Sequence, residues 1–163
     1  MFPTSLGYLI WSNTFDHTLF NAIGIIVSLY ALYIEIRKHK DPQYVAMCDL
    51  NEHMSCSRVL TSRYGTGFGF VEYLVGKNSY LNQPNCIVGA IMFFIQIVLG
   101  QFDWWLAIEV NYYCSIIACL GCFYLAIVLF FILKDLCLVC ISMYICNAAI
   151  FYLNYQRHLY AAF

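Results

Sequence analysis

The stretch VNYYCSIIACLGCFYLAIVLFFIL, from Val110 to Leu133, decides the fold. It runs for 24 residues without a charged side chain. About 20 apolar residues are enough for a helix to cross the hydrocarbon core of a bilayer. No water is present there to satisfy peptide groups, so such a segment has to be helical. Three further stretches have the same character: His17–Ile36, whose only carboxylate is Glu35 near one end, Cys86–Phe102 and Leu136–Tyr155. Trp104, Trp105, Tyr152 and Tyr155 sit near the ends of these runs, where interface anchors belong. The first run is too long for the apolar part of a signal peptide, no basic region precedes it, and Arg37, Lys38 and Lys40 close it. It reads as an uncleaved helix.

The composition points the same way. Apolar residues make up 63% of the 163-residue chain and charged residues only 10%, against roughly 25% charged in a soluble domain. So few charges could not cover the surface of a soluble globule. A net charge of -1 leaves no electrostatic footprint for nucleic acid. The expected fold is an all-α integral membrane protein, a four-transmembrane-helix bundle forming a single domain over residues 1–163. Its helices are expected at about 17–36, 86–102, 110–133 and 136–155.

The connectors are unequal. Asp103–Glu109 and Lys134–Asp135 are short turns, whereas residues 37–85 form a long, charge-rich loop. Within it FGFVEYLV, Phe68–Val75, is apolar but too short to span, which suggests an interfacial half-helix or lid. Gly65, Gly67 and Gly69 follow no strand, so a phosphate loop is not indicated.

Counting crossings from the termini puts the long loop and the Lys134–Asp135 turn on the same membrane face. Cys48 and Cys56 of the loop therefore share a face with the C-x-x-C pair Cys137 and Cys140. On a helix, positions three apart lie on one side and can be bridged. A helix N-terminus favours the thiolate, the reactive form, and Asp135 is a candidate N-cap. Cys137 would face the water interface and exchange with protein disulfides, while Cys140, one turn deeper, would meet an apolar substrate. Cys119 and Cys122 have the same spacing but lie in mid-run and read as structural, like Cys114 and Cys146; Cys86 has no sequence partner. Cys48 and Cys56 fit either a structural staple or a mobile shuttle that passes electrons by thiol–disulfide exchange. His17, His39, His53 and His158 are scattered, so no metal site is expected. No nicotinamide or flavin motif is present and no bound cofactor is expected; electrons must arrive through thiols. Seven of the eight Lys and Arg residues fall on the loop side. The positive-inside rule would make that side cytosolic, whereas disulfide chemistry favours an oxidising lumen.

Cys48, Cys56, the run SRYGTGFG from Ser62, LNQPN at 81–85, and CLVC at 137–140 followed by Tyr144 resemble the vitamin K epoxide reductase family. The similarity extends from the first helix to about Arg157. It departs at Leu60, Tyr64 and Met143, where Phe, Trp and Thr are common. The resemblance implies a bundle in the endoplasmic reticulum membrane, with the long cysteine-bearing loop luminal and a short cap over a quinone pocket. It implies reduction of vitamin K 2,3-epoxide, and of the quinone, by redox-active disulfides. Cys140 would engage the substrate and Cys137 resolve the adduct, with Cys48 and Cys56 relaying electrons from thioredoxin-fold luminal reductases. Asn85 and Tyr144 would hydrogen-bond the oxygens of the substrate and of vitamin K antagonists. Ser62, Leu60, Phe68, Phe70, Val71 and Leu74 would line or cap the pocket. Two other readings remain: a quinone-coupled oxidase that forms disulfides, and a non-catalytic tetraspan scaffold.

Overall fold

A computed structural model describes residues 4–76, 79 and 82–161. Leu81 of the LNQPN run lies outside them. The described residues are helical apart from turns and isolated bridges. Helix α1 runs Thr4–Lys40, α4 Asn85–Gly100, α5 Trp105–Ile127 and α6 Leu138–Ala161. The connection between α1 and α4 carries two five-residue helices, α2 (Cys56–Leu60) and α3 (Val71–Val75). Helix α1 packs on α4 and α6, and α5 packs on the same two, which closes a ring of four.

Three of the long helices, α1, α6 and α5 with its continuation, are long and apolar enough to cross a membrane. Helix α4 is apolar but has 16 residues, which at about 1.5 Å per residue is roughly 24 Å. Large apolar side chains point outward along all four, among them Ile26, Phe94, Ile117, Phe131 and Ile145. Such faces suit lipid rather than water.

The element boundaries differ from the sequence expectation in ways that have physical causes. Helix α1 extends well past 17–36 at both ends. Its polar positions do not interrupt it, because they find partners: the Asn13 amide donates to the Leu153 carbonyl at 3.3 Å. Four basic residues, Arg37 to Lys40, occupy its last turn, where the helix dipole is negative. Helix α5 starts at Trp105 rather than 110 and continues into a π-helical turn, Val128–Leu133, that stops at left-handed Lys134 (φ 52°). Helix α6 starts at Leu138, so Asp135, Leu136 and Cys137 precede it.

Two buried clusters fill the bundle. One joins Ala31, Ile34, Val59, Leu129 and Val139 to Cys48, Cys56, Cys86 and Cys137. The other centres on Phe93, Cys146 and Ile150. The Phe93 ring can lie there because Gly24 has no side chain; a Cβ would come within 2.7 Å of it. Towards the other end of the bundle the interior turns polar. His17, Asn21, Gln96, Asn111 and Asn154 are all buried there. The Asn154 amide donates to Gln96 Oε1 at 3.2 Å, and Arg157 donates to the Gly100 carbonyl and to Asp103. Interhelical amide contacts of this kind hold bundles together where hydrophobicity gives no preference between helix and lipid.

Candidate active site

Cys137 sits immediately before the first residue of α6 and acts as its N-cap. Its carbonyl accepts from Ile141 N–H at 3.0 Å and its sulfur accepts from Cys140 N–H at 3.3 Å. Capping side chains normally offer oxygen in this position; here a sulfur takes the role. The Cys140 thiol also donates to this sulfur, and together with the N–H groups of Cys140 and Val139 it outweighs burial and holds the Cys137 pKa below the ordinary thiol value. The pair is thus polarised, with the anion favoured on Cys137 and a proton held between the two sulfurs.

Asp135, expected as the cap, has another role. Its carboxylate is gripped by Arg58 of α2, Nε to Oδ2 at 2.6 Å and Nη2 to Oδ1 at 2.7 Å. Arg58 also donates to the Glu52 carbonyl. Beside it Leu136 N–H donates to the His53 carbonyl at 2.9 Å, and Met54 bridges to Leu136. The long loop is thereby fastened to the entrance of α6. Cys48 and Cys56 are joined as a disulfide, and both are buried in the cluster that holds Cys137. Cys48 retains 9% of its surface and Cys56 none, so any external thiol meets Cys48 first. Asp49 organises this turn by accepting from Ala46 N–H, Ser57 N–H and the Ser55 hydroxyl. Burial pushes its pKa up, but these bonds prevail and hold it below the usual carboxylate value.

Beneath the loop lies a cavity of about 320 Å³, enclosed by α1, α4, α5 and α6 and roofed by residues 59–68. That is the lower end of the size range for small-molecule sites. Its walls are mostly apolar. Cys140 lines it and Cys137 does not, so one thiol of the pair faces the cavity and the other is buried in the cluster that also holds the loop disulfide. Leu60, Ser62, Phe68, Asn85 and Tyr144 also line it. Phe70, Val71 and Leu74 do not: Phe70 sets its ring edge-on to Tyr124, Val71 packs by Gly67, and Leu74 is exposed.

Polar groups in the wall are largely committed. Asn85 holds the roof: its amide donates to the Tyr64 carbonyl at 2.6 Å and its oxygen accepts from Phe68 N–H at 2.9 Å. The Ser62 hydroxyl donates to the Val59 carbonyl at 2.6 Å, and the Asn147 amide to the Met143 carbonyl at 2.9 Å. Three wall residues carried no sequence signal as site residues. Glu35 and Cys86 meet across α1 and α4, the thiol donating to Oε2 at 3.5 Å. Cys122, in mid-helix α5, opens onto the cavity, while Cys119 turns its thiol to the Asn147 carbonyl.

An apolar chamber whose wall carries the Cys140 thiol, backed by Cys137 and a disulfide, is an arrangement for two-electron exchange with an apolar molecule. Comparison with known proteins gives the family. The model of the vitamin K epoxide reductase family matches residues 17–155. Vitamin K epoxide reductase complex subunit 1 of Rattus norvegicus is 41% identical over 134 residues, covering 82% of this chain and 83% of that protein. The Mus musculus protein of the same name is 40% identical over the same length. The chain belongs to the vitamin K epoxide reductase family and is a membrane oxidoreductase of that type.

Proposed function

We propose that this enzyme reduces vitamin K 2,3-epoxide, and the quinone after it, with electrons relayed from Cys48 and Cys56 to Cys137 and Cys140. The observation that carries the reading is the division of the C-x-x-C pair, Cys140 on the apolar cavity and Cys137 in the cluster with the loop disulfide.

The chemistry follows from that division. Cys140 passes its proton to Cys137, and its sulfur attacks an epoxide carbon; a C–S bond forms and a C–O bond breaks. Cys137, deprotonated again, attacks Cys140; the S–S bond forms, and the C–S electron pair returns to the substrate as an enolate. Expulsion of the neighbouring hydroxyl as water leaves the quinone. Two thiols become one disulfide, the oxygen leaves as water, and the two protons given up by the thiols balance the two taken up by that oxygen. The Cys48–Cys56 dithiol then resets the centre by exchange. The Tyr144 hydroxyl is the cavity donor placed to orient substrate oxygens, and Asn85 fixes the roof above them. Vitamin K antagonists would compete for this cavity.

In this reading α4, lengthened by its flanking residues, is the fourth crossing. The loop faces the lumen of the endoplasmic reticulum, where thioredoxin-fold reductases reach Cys48. Exposed Val45, Met47 and Leu50 flank that cysteine and offer such a partner an apolar contact. Alkylation of Cys48 from outside sealed microsomes, without detergent, would contradict the orientation. The decisive experiment on function is epoxide reduction by purified protein with a membrane-permeant dithiol: turnover is expected from the wild type and none from Cys140→Ala. Full activity of that variant would end the proposal.

A further inference from the structure

Epoxide opening and quinone reduction both leave negative charge on a substrate oxygen, which must acquire a proton inside an apolar chamber. Most polar groups in the wall cannot supply it. Ser62, Asn85 and Asn147 already spend donors on backbone carbonyls. Glu35 is different. It is the only ionisable carboxyl among the residues lining the cavity. Its residue is only 5% exposed, and among the described residues it forms no ion pair. Its described hydrogen bond is the weak one from the Cys86 thiol to Oε2, and the residue lines the chamber. One turn further along α1, on the same side of the helix, exposed His39 marks the way to water. A proton spent at Glu35 can be replaced from that end.

We propose that Glu35 is a catalytic acid of this enzyme, protonating the substrate oxygen released when Cys140 attacks, with the Cys86 thiol holding the carboxyl in place. The proposal rests on the reading of the cavity as the quinone-epoxide site. In the epoxide reaction the breaking C–O bond leaves its electron pair on oxygen, and the carboxyl proton goes to that oxygen. Glu35 is left as carboxylate and stabilised by Cys86. It regains a proton from water as the two thiol protons leave the Cys137–Cys140 pair. In quinone reduction the same carboxyl would serve a carbonyl oxygen as the two electrons arrive. A general acid of this kind contributes about 10²- to 10⁴-fold to rate.

The test is steady-state epoxide reduction by the full chain in detergent or nanodiscs with a permeant dithiol. It compares wild type, Glu35→Gln, Glu35→Asp and Cys140→Ala. Glu35→Gln is expected to lower kcat by about 10²-fold with KM changed less than about threefold. Glu35→Asp should recover at least about a tenth of wild-type kcat. The unchanged KM and a normal count of free thiols in Glu35→Gln would show that the variant is folded. Wild-type kcat in Glu35→Gln overturns the proposal, and so does a loss that Asp does not restore. If the wild type itself shows no Cys140-dependent turnover, the parent reading of the cavity falls as well, an outcome distinct from an active enzyme indifferent to position 35.

Discussion

Arg58 and Asp135, 77 positions apart, form a two-pronged ion pair at 2.6 and 2.7 Å that locks the cysteine-bearing loop to the entrance of α6. Asp135 is 8% exposed and Arg58 53%. Solvent screens the guanidinium, so the pair contributes only about 1 kcal/mol to stability. Its larger effect is on position, because it holds the segment carrying Cys56 near Cys137. Arg58→Ala is expected to lower turnover driven by a protein reductant severalfold, with turnover driven by a small permeant dithiol nearly unchanged. Equal losses with both reductants would show that the pair matters to the cavity rather than to the relay.

The polarised C-x-x-C pair has a pH signature. The hydrogen bond from the Cys140 thiol comes first among the causes that lower the Cys137 pKa, and the Cys140 and Val139 N–H groups add to it against burial. A lowered pKa means that thiolate is already present below the ordinary cysteine value. Peptide-resolved alkylation of Cys137 should show its midpoint below that value in the wild type. Cys140→Ala removes the first-ranking donor and should move the midpoint upward. An unmoved midpoint would mean that the helix N-terminus alone sets the thiolate.

Asp49 makes a second pH prediction, on stability. Its carboxylate accepts three hydrogen bonds in the turn that joins Cys48 to Cys56, and its folded pKa is lowered despite burial. The stabilisation is fully present above the unfolded value of about 3.9 and is lost as pH falls through the lower folded value. Asp49→Asn should cost about 1–2 kcal/mol near neutral pH. In thermal unfolding followed against pH, the gap between wild type and variant should close in the acid range. A gap independent of pH would assign the effect to shape rather than charge.

Much of the bundle is readable from the chain because uncharged length alone specifies the long helices. The Val110–Leu133 run lies wholly within α5 and its π turn. Helix ends were less legible, since apolar counting stops at polar residues that continue the helix by pairing across it, as Asn13 does with Leu153. The short α2 gave no periodic signal because it has only five residues. Cys137 is legible as half of a C-x-x-C motif, but its place as N-cap is not, because the start of α6 depends on Asp135 being drawn away to Arg58. Glu35 and Cys86 lie 51 positions apart, and their meeting exists only through the packing of α1 on α4. The buried amides around His17 read singly as polar interruptions in apolar runs, and only the fold shows them as one layer.

The roof over the cavity supplies the last prediction. Phe68 has left-handed backbone geometry (φ 54°), which a bulky residue holds only when its surroundings fix it. Here α4 and α5 both do so: Asn85 Oδ1 accepts from Phe68 N–H, and the Tyr124 hydroxyl donates to its carbonyl at 3.1 Å. The ring then reaches down towards Gly121 and lines the cavity. Tyr124→Phe removes one bond of about 1 kcal/mol and should raise KM for the epoxide severalfold while leaving kcat nearly intact, because Cys137 and Cys140 are untouched. Asn85→Ala frees both Tyr64 and Phe68 and should raise KM further. If the roof only shielded the site from water, both variants would instead lower kcat at unchanged KM, and steady-state kinetics on the two proteins distinguishes these outcomes.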